Sequence, residues 1–323
     1  MHALVDPAIL FFVFGIFAGL VKSNLEIPPA ISRFLSLYLL MALGLKGGFA
    51  LAQSGLTSQV AVSLSLAILL ALWVPVLSYF LLCRVLARFD AAALSATYGS
   101  VSAVTFITAM NYLESHSMEY GGHMAAAMAL MESPAIIFAV LMANRLRSLG
   151  AAQLTSEGQG FSMRKVLHES FTDGAQLLLL GAMLIGLVSG ETGRQAMQPF
   201  SGDLFKGMLA FFLLDMGLMA ARKLPGLRGQ SPWLLAYGLL APVVHAGMAL
   251  GLSWLLDVPQ GDAMLLMVLA ASASYIAVPA VLRYALPEAN PSLYVGLSLG
   301  LTFPFNILLG IPLYARCAAV VLG

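Results

Sequence analysis

"YGSVSAVTFITAM", residues 98–110, and "AASASYIAVPAVL", residues 270–282, are apolar segments that each carry a Ser-x-Ser. Superposed at a shift of 172 residues, Ser100 falls on Ser272 and Ser102 on Ser274. The same shift sets Asp90 on Asp262 and Tyr112 on Tyr284. Hydroxyl pairs repeated at one spacing inside apolar runs call for a common cause.

Composition narrows that cause. The chain has 323 residues, of which 60% are hydrophobic and 10% charged, and its mean hydropathy is +0.91. Soluble domains carry about 25% charged residues, so this surface belongs in a lipid bilayer and the chain reads as a polytopic membrane protein. A net charge of +1 gives no basis for a nucleic-acid partner. Cys83 and Cys317 lie in or beside apolar runs and define no disulfide framework. No Walker, Rossmann or zinc-protease pattern is present, so neither an enzyme nor a cofactor is expected.

A hydrocarbon core about 30 Å thick takes about 20 apolar residues per helix. On that rule ten spans are expected, at roughly 7–22, 29–51, 58–84, 91–113, 121–144, 173–190, 199–221, 232–256, 263–284 and 292–315. The first is read as a span and not a cleaved leader, because "MHALVDP" lacks a basic start. With the N-terminus outside, twelve Lys and Arg residues collect on the inner side and three on the outer, while Lys46 lies within a span. Basic residues are retained in the cytoplasm, so both termini face out and the loop 146–172 faces in.

That loop separates residues 1–145 from 173–323, with five spans in each half. "LLMALGLKGG" (39–48) resembles "FLLDMGLMAA" (212–221) at a shift of 173, and "MESPAII" (131–137) resembles "LTFPFNI" (301–307) at a shift of 170. An odd number of spans per half forces the second half to enter the bilayer from the opposite side. Such inverted repeats are the mark of secondary transporters. The expected fold is therefore all-α, with ten transmembrane helices in two inverted five-helix repeats and two broken crossover helices. Broken helices expose backbone groups, which lipid tolerates only around a cavity or a bound solute. Half-helix N-termini favour an anion, and hydroxyls with freed carbonyls hold a cation. Gly99, Ser100, Ser102 and Thr105 at one break, with Ser272, Ser274 and Tyr275 at the other, are the expected substrate site.

"LGLKGGFAL" (43–51), "ESPAIIFAVLMAN" (132–144), "APVVHAGMALGL" (241–252) and "LPEANPSLYVG" (286–296) carry a resemblance over essentially the whole chain. They resemble the sodium-dependent bicarbonate permeases best known from cyanobacteria, of which this chain looks like a divergent member. The resemblance implies a bacterial-type plasma membrane location and a homotrimer. In each half, the first two helices form a gate domain and the other three a core domain that moves like an elevator. It also implies a small anion such as bicarbonate as substrate, sodium as coupling ion, and a PII-like regulatory partner on the cytoplasmic face. The sequence departs from the family at both breaks. Ala103 and Val104 replace Gly and Ser, Ala273 interrupts a run of serines, and Ala277 with Val278 replace Ser-Gly. Tyr275 stands where the family carries an aspartate, and a phenol is a poor ligand for sodium.

Ionisable residues within spans are costly and mostly functional. Glu132 matches an acidic family position and, with Ser102, Thr105, Ser274 and Thr302, is a candidate for ion coupling. Lys46 and Asp215 lie near opposite membrane faces by their depth along the helices, so each is expected to snorkel and not to pair. The leading function is a secondary transporter of a small anion. The alternatives are a fold-retaining membrane sensor without transport and a proton-coupled carboxylate transporter. The topology predicts that a cysteine at Gln159 is labelled only from inside and one at Thr192 only from outside, by impermeant maleimide on intact cells. Labelling of Gln159→Cys from outside alone would sink it.

Overall fold

The computed structural model describes residues 6–55, 57–151, 174–227 and 229–323. The expected spans within them are helical apart from the breaks at 100–102 and 272–276: α1 Pro7–Leu20, α2 Pro29–Ser54, α3 Ser58–Leu82, α4 Arg88–Gly99, α5 Ala103–Ser115, α6 Met124–Ala151, α7 Gly174–Met197, α8 Phe205–Lys223, α9 Pro232–Leu255, α10 Gln260–Ala271, α11 Ala277–Ala285, and α12, Pro291–Leu322. Most of the expected loop 146–172 lies outside the described residues.

Seven stretches, not ten, are long and apolar enough among the described residues to cross a membrane. The difference has local causes. α1 is only 14 residues long, α10 stops short at the second break, and α7 runs on toward α8, so that Gly174–Leu227 is one stretch holding two expected spans. Gly190, at φ +53, kinks α7 where the sixth span was expected to end.

Local chemistry fixes the starts. Asp6 caps α1 by accepting from Ala8 N at 2.8 Å, with Pro7 in the first turn. Thr57, Ser231 and Asn290 accept from the first-turn amides of α3, α9 and α12 in the same way. α12 widens into π-type turns at Ser298–Thr302 and Asn306–Gly310, a form of irregularity often found at functional sites.

The helices pair in a repeating pattern. α1 packs along α8 and α2 along α7; α3 packs on α4 and α6, while α9 packs on α10 and α12. Lipid tails give apolar helices no hydrophobic reason to associate, so close backbone approach must supply the contact. Gly15 and Gly19 of α1 meet Gly217 and Ala221 of α8, and Gly44 and Gly48 of α2 meet Ala182 and Gly186 of α7. Both crossings are small-xxx-small against small-xxx-small. A Cβ at Gly48 would lie 2.1 Å from the Met183 carbonyl oxygen, and one at Gly217 2.3 Å from that of Phe12.

The broken helices occupy the centre. The most apolar part of Arg88–Ser115 is 94% buried, against 44% for Ser58–Leu82 and for Pro232–Leu255, which therefore offer their outer faces to lipid. The matched aspartates hold the ends. Asp90, in the first turn of α4, accepts from Asn290 N at 2.7 Å. Asp262, in the first turn of α10, accepts from Gly121 N at 2.6 Å. Each crossover thus grips the loop that follows the other one. A fork from Arg147 to Glu288, with both bonds at 2.8 Å, adds to the first of these grips. Those bonds hold the Glu288 carboxyl below the usual carboxylate range.

Substituting Gly48→Leu or Gly217→Leu should lower stability by about 1–3 kcal/mol through overpacking. Thermal unfolding in detergent reads this out. Gly181→Leu, on α7 where a Cβ meets nothing within 4 Å, should leave the midpoint unchanged.

Candidate substrate cavity at the two helix breaks

α4 ends against a proline. Pro75, inside α3, lies so close that a Cβ on Gly99 would sit 2.5–2.7 Å from its ring. The chain then runs extended through Ser100 and restarts as α5 at Ala103, with Ser102 as the cap. Ser102 Oγ accepts from Thr105 N at 3.2 Å and from Thr105 Oγ1 at 3.0 Å. On the other side, α10 ends at Ala271, the chain is extended at Ser272, and α11 begins at Ala277. Ser274 Oγ accepts from Val278 N at 3.2 Å, so it serves α11 as Ser102 serves α5.

The breaks satisfy one another. Ser102 N donates to Ser272 Oγ at 2.9 Å, and Ser274 N donates to the Thr97 carbonyl at 2.9 Å. Asn306, at the second widened turn of α12, donates to the freed Ala271 carbonyl at 2.8 Å and accepts from Tyr314 OH at 2.9 Å. Backbone groups freed in a dry interior cost several kcal/mol each if left unpaired, so these bonds are what make the two interruptions tolerable.

Between the breaks lies a cavity of about 260 Å³. That is below the roughly 300–1,000 Å³ of pockets that hold drug-sized ligands, so it suits a solute of few atoms. Residues 101–104 form one wall and residues 274–277 another, which brings the N-terminal ends of α5 and α11 to the same space. Ser36 and Leu40 of α2, Gln176 and Leu179 of α7, and Met128 and Glu132 of α6 complete it. Among the described residues no basic side chain lines the cavity, and Glu132 is the acid in its lining. Gln176 Nε2 donates to Glu132 Oε2 at 2.9 Å, across the boundary between the α1–α2–α7–α8 group and the central helices.

Of the residues singled out in the sequence, Ser102, Glu132, Ser274 and Tyr275 line this cavity. Ser272 and Thr105 stand behind them as hydrogen-bond partners of Ser102. Gly99 packs on Pro75. Ser100 is buried, and its hydroxyl has no partner among the described residues. Thr302 sits deeper in the protein, 2.5 Å from Tyr98 OH and donating to the Gly238 carbonyl at 2.6 Å.

The expectation that Asp215 snorkels is overturned, for its side chain is 5% exposed. Depth counted along a single helix misses what the neighbouring helices cover. Lys46 keeps clear of Asp215 and instead pairs with Glu114 at 3.0 Å, its ammonium 4.2 Å from the Phe205 ring centre. Ser36 and Gln176 went unmarked in the sequence. Gln176 carried a usable signal, a lone amide at the start of an apolar run.

Ser272→Ala should leave Ser102 N without an acceptor and cost about 1–3 kcal/mol, whereas Ser100→Ala should cost almost nothing. Thermal unfolding of the two variants tests this, and equal losses would contradict the assigned partners.

The family model described as the Na+-dependent bicarbonate transporter superfamily matches residues 7–319. No curated protein matches the chain.

Proposed function

The chain belongs to the Na+-dependent bicarbonate transporter superfamily and is a multi-pass membrane transporter, not an enzyme; on that premise we propose that it is a secondary transporter of a small anion, with bicarbonate foremost, acting by an elevator-type shift. The observation that carries the proposal is a cavity bounded by both helix breaks, one from each half of the chain. Two half-helix N-termini meeting there present positive dipole ends to an anion. Ser102 and Ser274 already accept from the backbone through their oxygens. The Ser274 hydroxyl hydrogen is therefore the part it has to offer an anion, while Ser102 also hydrogen-bonds the Tyr275 side chain.

The architecture proposed is two inverted repeats, 1–145 and 173–323, joined by 146–172 and placed with both termini outside. It is supported by the paired crossings α1–α8 and α2–α7, and by the reciprocal grips of Asp90 and Asp262. The four-helix group α1, α2, α7 and α8 would be the gate, and the remaining helices the moving core. A homotrimer in a bacterial-type plasma membrane and a PII-like partner belong to the same proposal through the family resemblance alone.

Tyr275 bears on the coupling ion. Its ring lies 5.1 Å from that of Phe303, and its hydroxyl 3.7 Å from the Met216 sulfur, so the second break holds an aromatic plug where the family carries a carboxylate. Weak sodium coupling is the consequence. The same plug is the observation that favours the second reading, a sensor that no longer transports.

Uptake of labelled bicarbonate by purified protein in sealed liposomes tests the function. Protein-free liposomes set the baseline for carbon that crosses as carbon dioxide. Uptake above baseline is expected in the wild type and its loss in Ser102→Leu and Ser274→Leu, with folding kept. Sodium stimulation should be weak in the wild type and should emerge in Tyr275→Asp. Robust sodium-driven uptake by the wild type would refute the weak-coupling claim, and no uptake under any gradient would favour the sensor.

A further inference from the structure

Asp215 is a buried acid with work left to explain. It lies on α8, its side chain is 5% exposed, and its Oδ2 has no hydrogen-bond partner among the described residues. Ser32, near the start of α2, is its hydrogen-bonding neighbour on one side, and Arg222 on its own helix is a basic residue whose charge reaches it. Arg222 lies two turns on and reaches toward the Leu25 carbonyl at 3.5 Å. On the other side is Tyr275, close enough to feel the Asp215 charge and already in contact with the adjacent Met216.

Among the described residues, the other elements packed on α8 offer no counter-ion. α1 has no ionisable side chain. On α2, Arg33 is exposed, Tyr38 donates to the Phe200 carbonyl and Lys46 is paired with Glu114. α12 contributes only Tyr294, Tyr314, Arg316 and Cys317 as ionisable groups, and none of them acts on Asp215. In the turns flanking α8, Asp203 accepts from Gln198. A carboxylate held in such a place requires a companion cation, since a buried charge without one is too costly to keep.

Symmetry separates function from packing here. At the shift of 173 that aligns residues 39–48 with 212–221, the counterpart of Asp215 is Ala42. At the shift of 172 that aligns the breaks, the counterpart of Tyr275 is Ala103. Packing needs only alanine at these two places in the first half, and Ala42 is fully buried there. In the second half both positions become polar, and Tyr275 touches Met216, the residue next to Asp215.

We propose that Asp215 is a proton-binding site facing Tyr275 across the gate–core boundary, so that the coupling proton sits on the gate helix and not at the position where the family carries its aspartate. The proposal rests on the transporter reading above and deepens it. A proton needs one carboxyl oxygen and no coordination shell, which fits a site with a single free oxygen beside a phenol and a hydroxyl. Because Asp215 and Tyr275 stand on bodies that slide past each other, the surroundings of the proton change when the core moves. That is how proton uptake and release would be tied to the position of the anion.

The test does not require transport. Infrared difference spectra of the full-chain protein in liposomes, titrated from about pH 5 to 9, read the protonated carboxyl band directly. A band that titrates in this range, is lost in Asp215→Asn and shifts its midpoint in Tyr275→Phe supports the proposal. Spectra of wild type and Asp215→Asn that superimpose would overturn it. So would an Asp215 that stays ionised throughout and responds only when sodium chloride replaces choline chloride, since the companion would then be sodium. Where the wild type takes up bicarbonate, Asp215→Asn should abolish stimulation by a pH gradient. A titrating band without any uptake would leave the site standing and the transporter reading fallen.

Discussion

Two hydrogen bonds donated by backbone amides, Ser102 N to Ser272 Oγ and Ser274 N to the Thr97 carbonyl, tie the two interrupted helices to each other, each at 2.9 Å. Inside a bilayer an interruption must find partners within the protein. Here each half of the chain supplies them for the other. Pro75 sets where α4 stops, and Asn306 caps the freed end of α10. Asp90 and Asp262 pin the two far ends. Removing one half would leave the other with exposed amides and carbonyls at its centre, so neither crossover is a folding unit by itself.

The cavity follows from the same constraint. Two helix N-termini can approach only if something stands between them, and the space left is small and lined in part by Glu132. Positive dipole ends and a serine hydroxyl hydrogen suit an anion. Close glycine crossings in the α1–α8 and α2–α7 pairs give the flanking group a stiff surface. The Glu132–Gln176 bond spans the boundary and would have to be exchanged in any sliding movement.

Much of this was written plainly in the sequence. Hydropathy located the apolar helices among the described residues, and the paired serines marked both breaks because hydroxyls and small residues are conspicuous in an apolar run. The matched Asp90 and Asp262 announced a symmetric role without saying what it was. Ser36, Gln176 and Asp215 were another matter. Their part in the protein depends on which faces of α2, α7 and α8 meet the central helices, and no periodicity within one helix reports that. Thr302, an ion-coupling candidate in the sequence, lies at a widened turn of α12 and bonds Tyr98 and Gly238. The shortness of α10 was concealed for a related reason, since apolar residues run through the break and only the backbone departs from helix there.

The central claim is that the anion lies between the two breaks. Solid-state NMR with 13C-labelled bicarbonate and protein 15N-labelled at the backbone measures it most directly, through dipolar contacts between the bound carbon and individual amides. The account predicts contacts to the first-turn amides of both α5 and α11, around Ala103–Val104 and Ala277, lost together in Ser274→Leu. Saturable binding of bicarbonate with no contact to either set of amides would contradict it.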